Sequence, residues 1–159
     1  MTDIMDPQTR SALMARIKGR NTKPELIVRR SLHTSGFRFR LNVRKLPGSP
    51  DIVLPKWRIA IFVHGCFWHR HPGCRKATTP STNADFWDNK FRANVHRDKR
   101  ALAELASLNW RTAIIWECAL TSKHAAGAID QLVRSIQDCE VEHFVIGGFD
   151  TKTIKQPSH

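Results

Sequence analysis

The reactive side chains of this chain crowd into one short stretch. After the apolar run Ile59-Ala60-Ile61-Phe62-Val63 come His64, Cys66, Phe67, Trp68, His69, His71 and Cys74. Cys66, His71 and Cys74 fall within nine residues, and Cys118 follows 44 residues after Cys74. Thiolate and imidazole donors close in sequence, completed by a distant one, are how structural zinc sites are assembled. The soft thiolates favour zinc over magnesium. Spacing alone leaves the nitrogen ligand open between His69 and His71. Four protein donors close the coordination sphere, so zinc held this way is structural rather than catalytic. Cys139 has no such pattern around it and reads as a plain residue at a helix end.

A second chemistry attaches to Asp51. It follows Pro50 and opens the run Ile52-Val53-Leu54; Pro55-Lys56 turns the chain, and the next apolar run ends at Val63-His64. In a hairpin the start of one strand lies beside the end of the next, so a carboxylate and an imidazole meet there. Phosphodiester hydrolysis needs a hard cation on the scissile phosphate, and an oxygen ligand such as Asp51 suits Mg²⁺. It also needs a base for the attacking water, and an imidazole titrating near neutrality suits that role.

Charge points to the same class of partner. The 159 residues carry 26 Lys+Arg against 14 Asp+Glu, a net charge of +12, with a pI near 10.3. Residues 1–47 hold eleven Lys/Arg and three acids, a net +8 in under a third of the chain. A polyanion, and nucleic acid first of all, is the simplest counterpart. The N-terminus lacks the basic-then-apolar pattern of a signal peptide, and no apolar run approaches the ~20 residues that span a bilayer. Four cysteines without an export signal read as thiols or metal ligands rather than disulfides. The expectation is one cytoplasmic domain facing DNA or RNA, with no membrane partner.

The elements that must position these groups follow from periodicity. Asp6-Pro7 starts a first helix running to about Ile17, part of a basic arm over residues 1–20. Thr22-Lys23-Pro24-Glu25 has capping-box spacing and opens a second helix closing at Gly36. Glu25 reads equally as a cap and as an acid near the site. Phe37, Phe39, Leu41 and Val43 alternate with Arg38, Arg40, Asn42 and Arg44, a half-buried strand with a basic face. Leu46 to Pro50 is a turn, 51–54 a strand, and Trp57 to Val63 another. A Pro-, Ser- and Thr-rich loop fills 72–84, and the longest helix runs from Asn83 or Asp85 to about Ser107. A strand over Trp110–Trp116, a helix over 124–137 and a short strand over 143–149 complete the chain before a loose tail at 150–159. The sum is a mixed α/β sandwich whose strands around Pro55 are antiparallel.

Four stretches carry a family resemblance: Leu46-Pro47-Gly48-Ser49-Pro50-Asp51, Phe62 to His69, Asp85-Phe86-Trp87, and Trp116-Glu117-Cys118. On them the chain resembles the very-short-patch repair endonucleases, from the Thr9-Arg10-Ser11 opening to about Leu120. The resemblance implies a restriction-endonuclease-like fold and a DNA nick 5′ to the T of a T·G mismatch, the lesion left when 5-methylcytosine deaminates. It implies that Asp51 binds catalytic Mg²⁺, with the residue at 63 contributing its backbone carbonyl. His69 becomes the base, and His64 lies beside the metal-bound water. It assigns structural Zn²⁺ to Cys66, His71, Cys74 and Cys118. Phe67, Trp68 and Trp87 become an intercalating wedge. The sequence departs from the family pattern at Val63, where Thr is common, and in a Cys74 spacing one residue longer.

Two readings follow. One is a mismatch-directed, Mg²⁺-dependent endonuclease acting as a monomer on the bacterial nucleoid, with mismatch-repair proteins as partners. The other is a zinc-containing DNA-binding protein without catalysis. Asp51, His64 and His69 separate them, because an uncompensated carboxylate facing phosphates weakens binding unless a cation bridges it.

Overall fold

The computed structural model describes residues 22–147. The first helix, the basic arm and the tail read from the sequence lie outside them. Helix α1 (Lys23–Thr34) starts as its sequence predicts: the Thr22 side chain accepts a 3.4 Å hydrogen bond from the Glu25 N–H. A five-stranded mixed sheet follows in spatial order β1 (Arg40–Leu41), β2 (Ile52–Leu54), β3 (Ile59–His64), β4 (Arg111–Trp116), β5 (His143–Ile146). β1, β2 and β3 are antiparallel neighbours, whereas β4 pairs parallel to β3 and β5 parallel to β4. The parallel pairs need long crossovers. Helices α2 (Ala84–Ser107) and α3 (Ala125–Gln137) supply them. The architecture is a restriction-endonuclease-like α/β fold. No helix among the described residues is long and apolar enough to cross a membrane.

Alternation along β3 divides the core between the two faces of the sheet. Ile59 and Ile61 pack with Val28 and Leu32 of α1 and Leu132 and Ile136 of α3. Ala60 and Phe62 turn the other way, onto Leu105 of α2 and Trp116. Because side chains on a strand have a period of two, His64 shares the α2 face with Phe62. Arg111 locks the far end of the sheet, donating to the carbonyls of Ser135 (3.0 Å), Ile136 (3.1 Å) and Asp138 (2.7 Å) at the end of α3. Those carbonyls have no partner within the helix, and a cation there also suits the helix dipole.

The expected strand over 37–44 is shorter than its alternation suggests. Asn42 takes a left-handed backbone (φ +49°), which ends the extended run after Leu41. Phe37 is buried as expected, but Leu41 is exposed. The strand expected from Trp57 begins at Ile59, because Pro55–Trp57 forms a 3₁₀ turn closed by Arg58 at φ +49°. The turn after β1 depends on Gly48, at φ +74°, where a Cβ would lie 2.6 Å from the Ala101 Cβ of α2. Backbone at that point must pass close under α2, which only glycine permits.

Candidate active site and metal centre

Register brings the first two groups together. Ile52 pairs with Ile61 across β2 and β3, so Asp51 sits beside the end of β3. Its Oδ2 accepts a 2.8 Å hydrogen bond from the Val63 N–H. Burial pushes the Asp51 carboxyl up to about 6, with the Glu25 carboxylate adding to the rise and the Val63 bond opposing it. Glu25 is itself buried and holds Arg29 at 3.0 Å. Its N–H makes the cap bond to Thr22, and its side chain lines the cleft beside Asp51.

His64 ends β3, buried to 5% exposure. Burial first, then the neighbouring His69, hold it down to about 3, so the ring is neutral. His69 stacks flat on it, with ring centroids 3.9 Å apart and planes 3° from parallel. On its other side, His69 Nδ1 lies 2.7 Å from Asp98 Oδ2 on α2. Asp98 was not singled out by the sequence: it lies 29 residues from His69, in a helix of ordinary charge pattern. Asn94 and Arg97 were missed for the same reason. Asn94 donates to the Trp68 carbonyl at 3.3 Å, and Arg97 holds the Asn94 side-chain oxygen.

Asp51, His64, His69, Asp98 and Glu25 line one cleft of about 530 Å³, with Phe67 and Trp68 at its edge. It opens at the C-terminal ends of β3 and β4, the usual ligand position in sheets with parallel strands. Phe67 and Trp68 make an edge-to-face pair at 5.0 Å, and Trp87 from α2 closes on both at 5.9 Å. All three are half-buried, while Phe91 beneath them is buried. They form one partly exposed aromatic cluster, with Lys90 Nζ 5.5 Å from the Trp68 ring.

The loop carrying His69 is gathered at its base by four sulfur and nitrogen donors. Cys66, His71, Cys74 and Cys118 place their ligand atoms within 4.8 Å of one another. His71 Nδ1 lies 3.6 Å from Cys66 Sγ and 3.4 Å from Cys118 Sγ. A tetrahedral ion with the bond lengths usual for zinc separates sulfur and nitrogen by about 3.5 Å, so the set fits such an ion. His69 points away, to Asp98. Burial pushes the Cys66 thiol up, with the Cys118 sulfur adding to it, which a bound cation would reverse. Glu117 ties this loop to the end of β4 by accepting from the Cys66 N–H at 3.0 Å. Trp116 stands between the two groups, stacked on His71 at 4.3 Å and edge-on to His64 at 5.2 Å. Cys139 is exposed and remote from this cluster, as its sequence context suggested.

A carboxylate and an imidazole–carboxylate pair face one cleft on this fold, an arrangement suited to metal-assisted hydrolysis. The family model described as DNA mismatch endonuclease Vsr matches residues 2–76. The chain is 46% identical over 138 residues to the type II nicking enzyme V.XorIIP of Xanthomonas oryzae pv. oryzae, covering 87% of this chain and 98% of that one. It is 41% identical over 139 residues to the type II nicking enzyme V.NmeAIP of Neisseria meningitidis serogroup A, covering 87% and 99%. With the DNA mismatch endonuclease Vsr of Escherichia coli the identity is 42% over 123 residues, covering 77% and 78%. The chain therefore belongs to the Vsr family of DNA mismatch endonucleases, enzymes that hydrolyse DNA phosphodiester bonds. The non-catalytic reading falls with that membership.

Proposed function

We propose that this endonuclease nicks duplex DNA 5′ to the T of a T·G mismatch by Mg²⁺-dependent hydrolysis. The observation that carries the reading is the shared cleft: Asp51, His64 and His69 face the same space as the aromatic cluster. Asp51 would hold the Mg²⁺, with Val63 offering its backbone carbonyl. Bound there, the ion supplies positive charge against the scissile phosphate and acidifies water. The residues fit it, because a carboxylate penalised by burial and by Glu25 gains from a divalent partner.

The remaining work falls to the chain. Asp98 engages Nδ1 of His69, which leaves Nε2 to accept a proton from the attacking water. His64, neutral and stacked on that ring, fixes its plane without opposing the charge His69 gains. Cys66, His71, Cys74 and Cys118 would hold Zn²⁺, whose part is to pin the loop that presents His69 and Trp68. Val63 in place of Thr is compatible with a role for its carbonyl. Phe67, Trp68 and Trp87 enter between base steps, where a mismatched step opens at lower cost.

The test is a nicking assay on duplexes with one T·G pair in varied flanking sequence, with Mg²⁺ or EDTA. A single Mg²⁺-dependent nick 5′ to the T is expected. Equal cutting of a T·A duplex, or cutting indifferent to EDTA, would refute the proposal. Asp51→Ala should abolish the nick and leave DNA binding intact. Joint loss of binding and zinc would show that Asp51 is structural.

A further inference from the structure

Helix α2 has a second face that the active site does not use. Asn94, Arg97 and Asp98 turn into the catalytic cleft, whereas Phe91, Arg92, His96 and Lys99 line a separate groove of about 350 Å³. At about 100° per residue, the two sets are centred roughly 140° apart around the helix axis. Phe91 is the wall between them. Its ring meets Phe67 at 5.1 Å on the wedge side. On the groove side the Arg70 guanidinium lies over it at 4.1 Å, fixed by 2.8 Å hydrogen bonds to the Thr78 carbonyl and Thr79 hydroxyl. Arg92, His96 and Lys99 recur every three or four residues along the rim, the spacing of one helix face. The acid among the described lining residues, Asp88, is engaged by Arg92 at 3.0 Å.

We propose that this groove binds the phosphate backbone of the uncut strand. The scissile phosphate would lie in the cleft on the Asn94–Asp98 side, and the aromatic cluster at the start of α2 stands between that side and the groove. With the rings inserted in the stack, the backbone beyond them is the complement, so the cationic Arg92–Lys99 rim meets the uncut strand. This inference rests on the wedge reading given above. DNA is favoured over an acidic protein segment because the cationic rim shares the Phe91 wall with the rings that would unstack the bases.

The test is the double variant Arg92→Gln/Lys99→Gln, whose residues lie outside the catalytic cleft. Two lost phosphate contacts should flatten the slope of log K against log salt by about 1.8, or roughly 30-fold weaker binding at 0.15 M salt, closing near 1 M. Single-turnover nicking at saturating protein should stay within about twofold of wild type. Methylphosphonates scanned along the uncut strand should weaken wild-type binding at positions where they cost the variant nothing. Along the cut strand they should cost both proteins alike. An unchanged salt slope would overturn the proposal, and so would coupling confined to the cut strand. An unchanged slope with lost binding to polyglutamate would assign the groove to an acidic protein segment instead, and also overturns it. Failure of the mismatch reading looks different: the wild type itself would show no preference for a T·G duplex, and this inference would fall with it.

Discussion

Asp98→Asn is the sharpest probe of the catalytic arrangement. The substitution keeps size and removes one charge facing His69 at 2.7 Å, with both side chains about a quarter exposed. A positive imidazole and a carboxylate with charge centres about 4 Å apart interact by about 1 kcal/mol in water and about 4 kcal/mol at an effective dielectric of 20. The exposure of this pair places it between those limits, near 2–3 kcal/mol, or about 30- to 150-fold in rate. An amide that turns its NH₂ toward Nδ1 would also impose the wrong tautomer and deepen the loss. The assay is single-turnover nicking of a T·G duplex at saturating Mg²⁺, with DNA affinity measured in parallel. The rate should fall by about two orders of magnitude while affinity holds. The double variant His69→Ala/Asp98→Asn should be no slower than His69→Ala, because the two side chains act as a unit. A rate within threefold of wild type, or losses that multiply in the double variant, would refute the pairing.

Other outcomes follow from the same geometry. Gly48→Ala combines a left-handed backbone with a Cβ 2.6 Å from Ala101; it should cost about 2–4 kcal/mol and lower the thermal midpoint by roughly 10 °C. Cys118→Ala should reduce bound zinc from about one equivalent per chain to a small fraction, read by metal analysis, and lower the thermal midpoint together with the nicking rate. His143, bonded to Thr112 at 2.6 Å, is held below its usual 6.5 by burial. Its folded form binds a proton less readily than the unfolded chain, so its share of stability is present above that value and lost as pH falls through it. His143→Gln should therefore flatten the decline of thermal midpoint between pH 8 and pH 5; an unchanged decline would exclude this group.

What the sequence revealed was whatever its local spacing encodes. Cys66, His71 and Cys74 sit within one loop, and Asp51 comes beside Val63, at the end of the strand that carries His64, across a hairpin whose register a short turn dictates. The long helix, declared by its period, appears within a residue of its expected bounds. Asp98 and Asn94 were illegible because their contacts, 29 and 26 residues away, arise only when α2 crosses the sheet. Nothing in a charged helical surface marks which carboxylate will meet an imidazole. The shortened β1 has a local cause, the left-handed Asn42, that alternation does not encode. Spacing leaves His71 and His69 equal as nitrogen donors, and in the sequence only the family resemblance favours His71. The geometry now separates the two rings, one beside the sulfurs and the other beside Asp98.

Trp116 is the shared wall of two neighbouring sites, one ring face on His71 and its edge toward His64. Behind it, a Cβ on Gly147 would lie 2.6 Å from the indole. An indole boxed in this way has little freedom to accommodate change on one side alone. A substitution that reshapes the thiol-rich knot would be transmitted to the buried imidazole, and the reverse holds as well. A change at either site is therefore expected to disturb the other, so paired substitutions across the indole should be tolerated better than single ones.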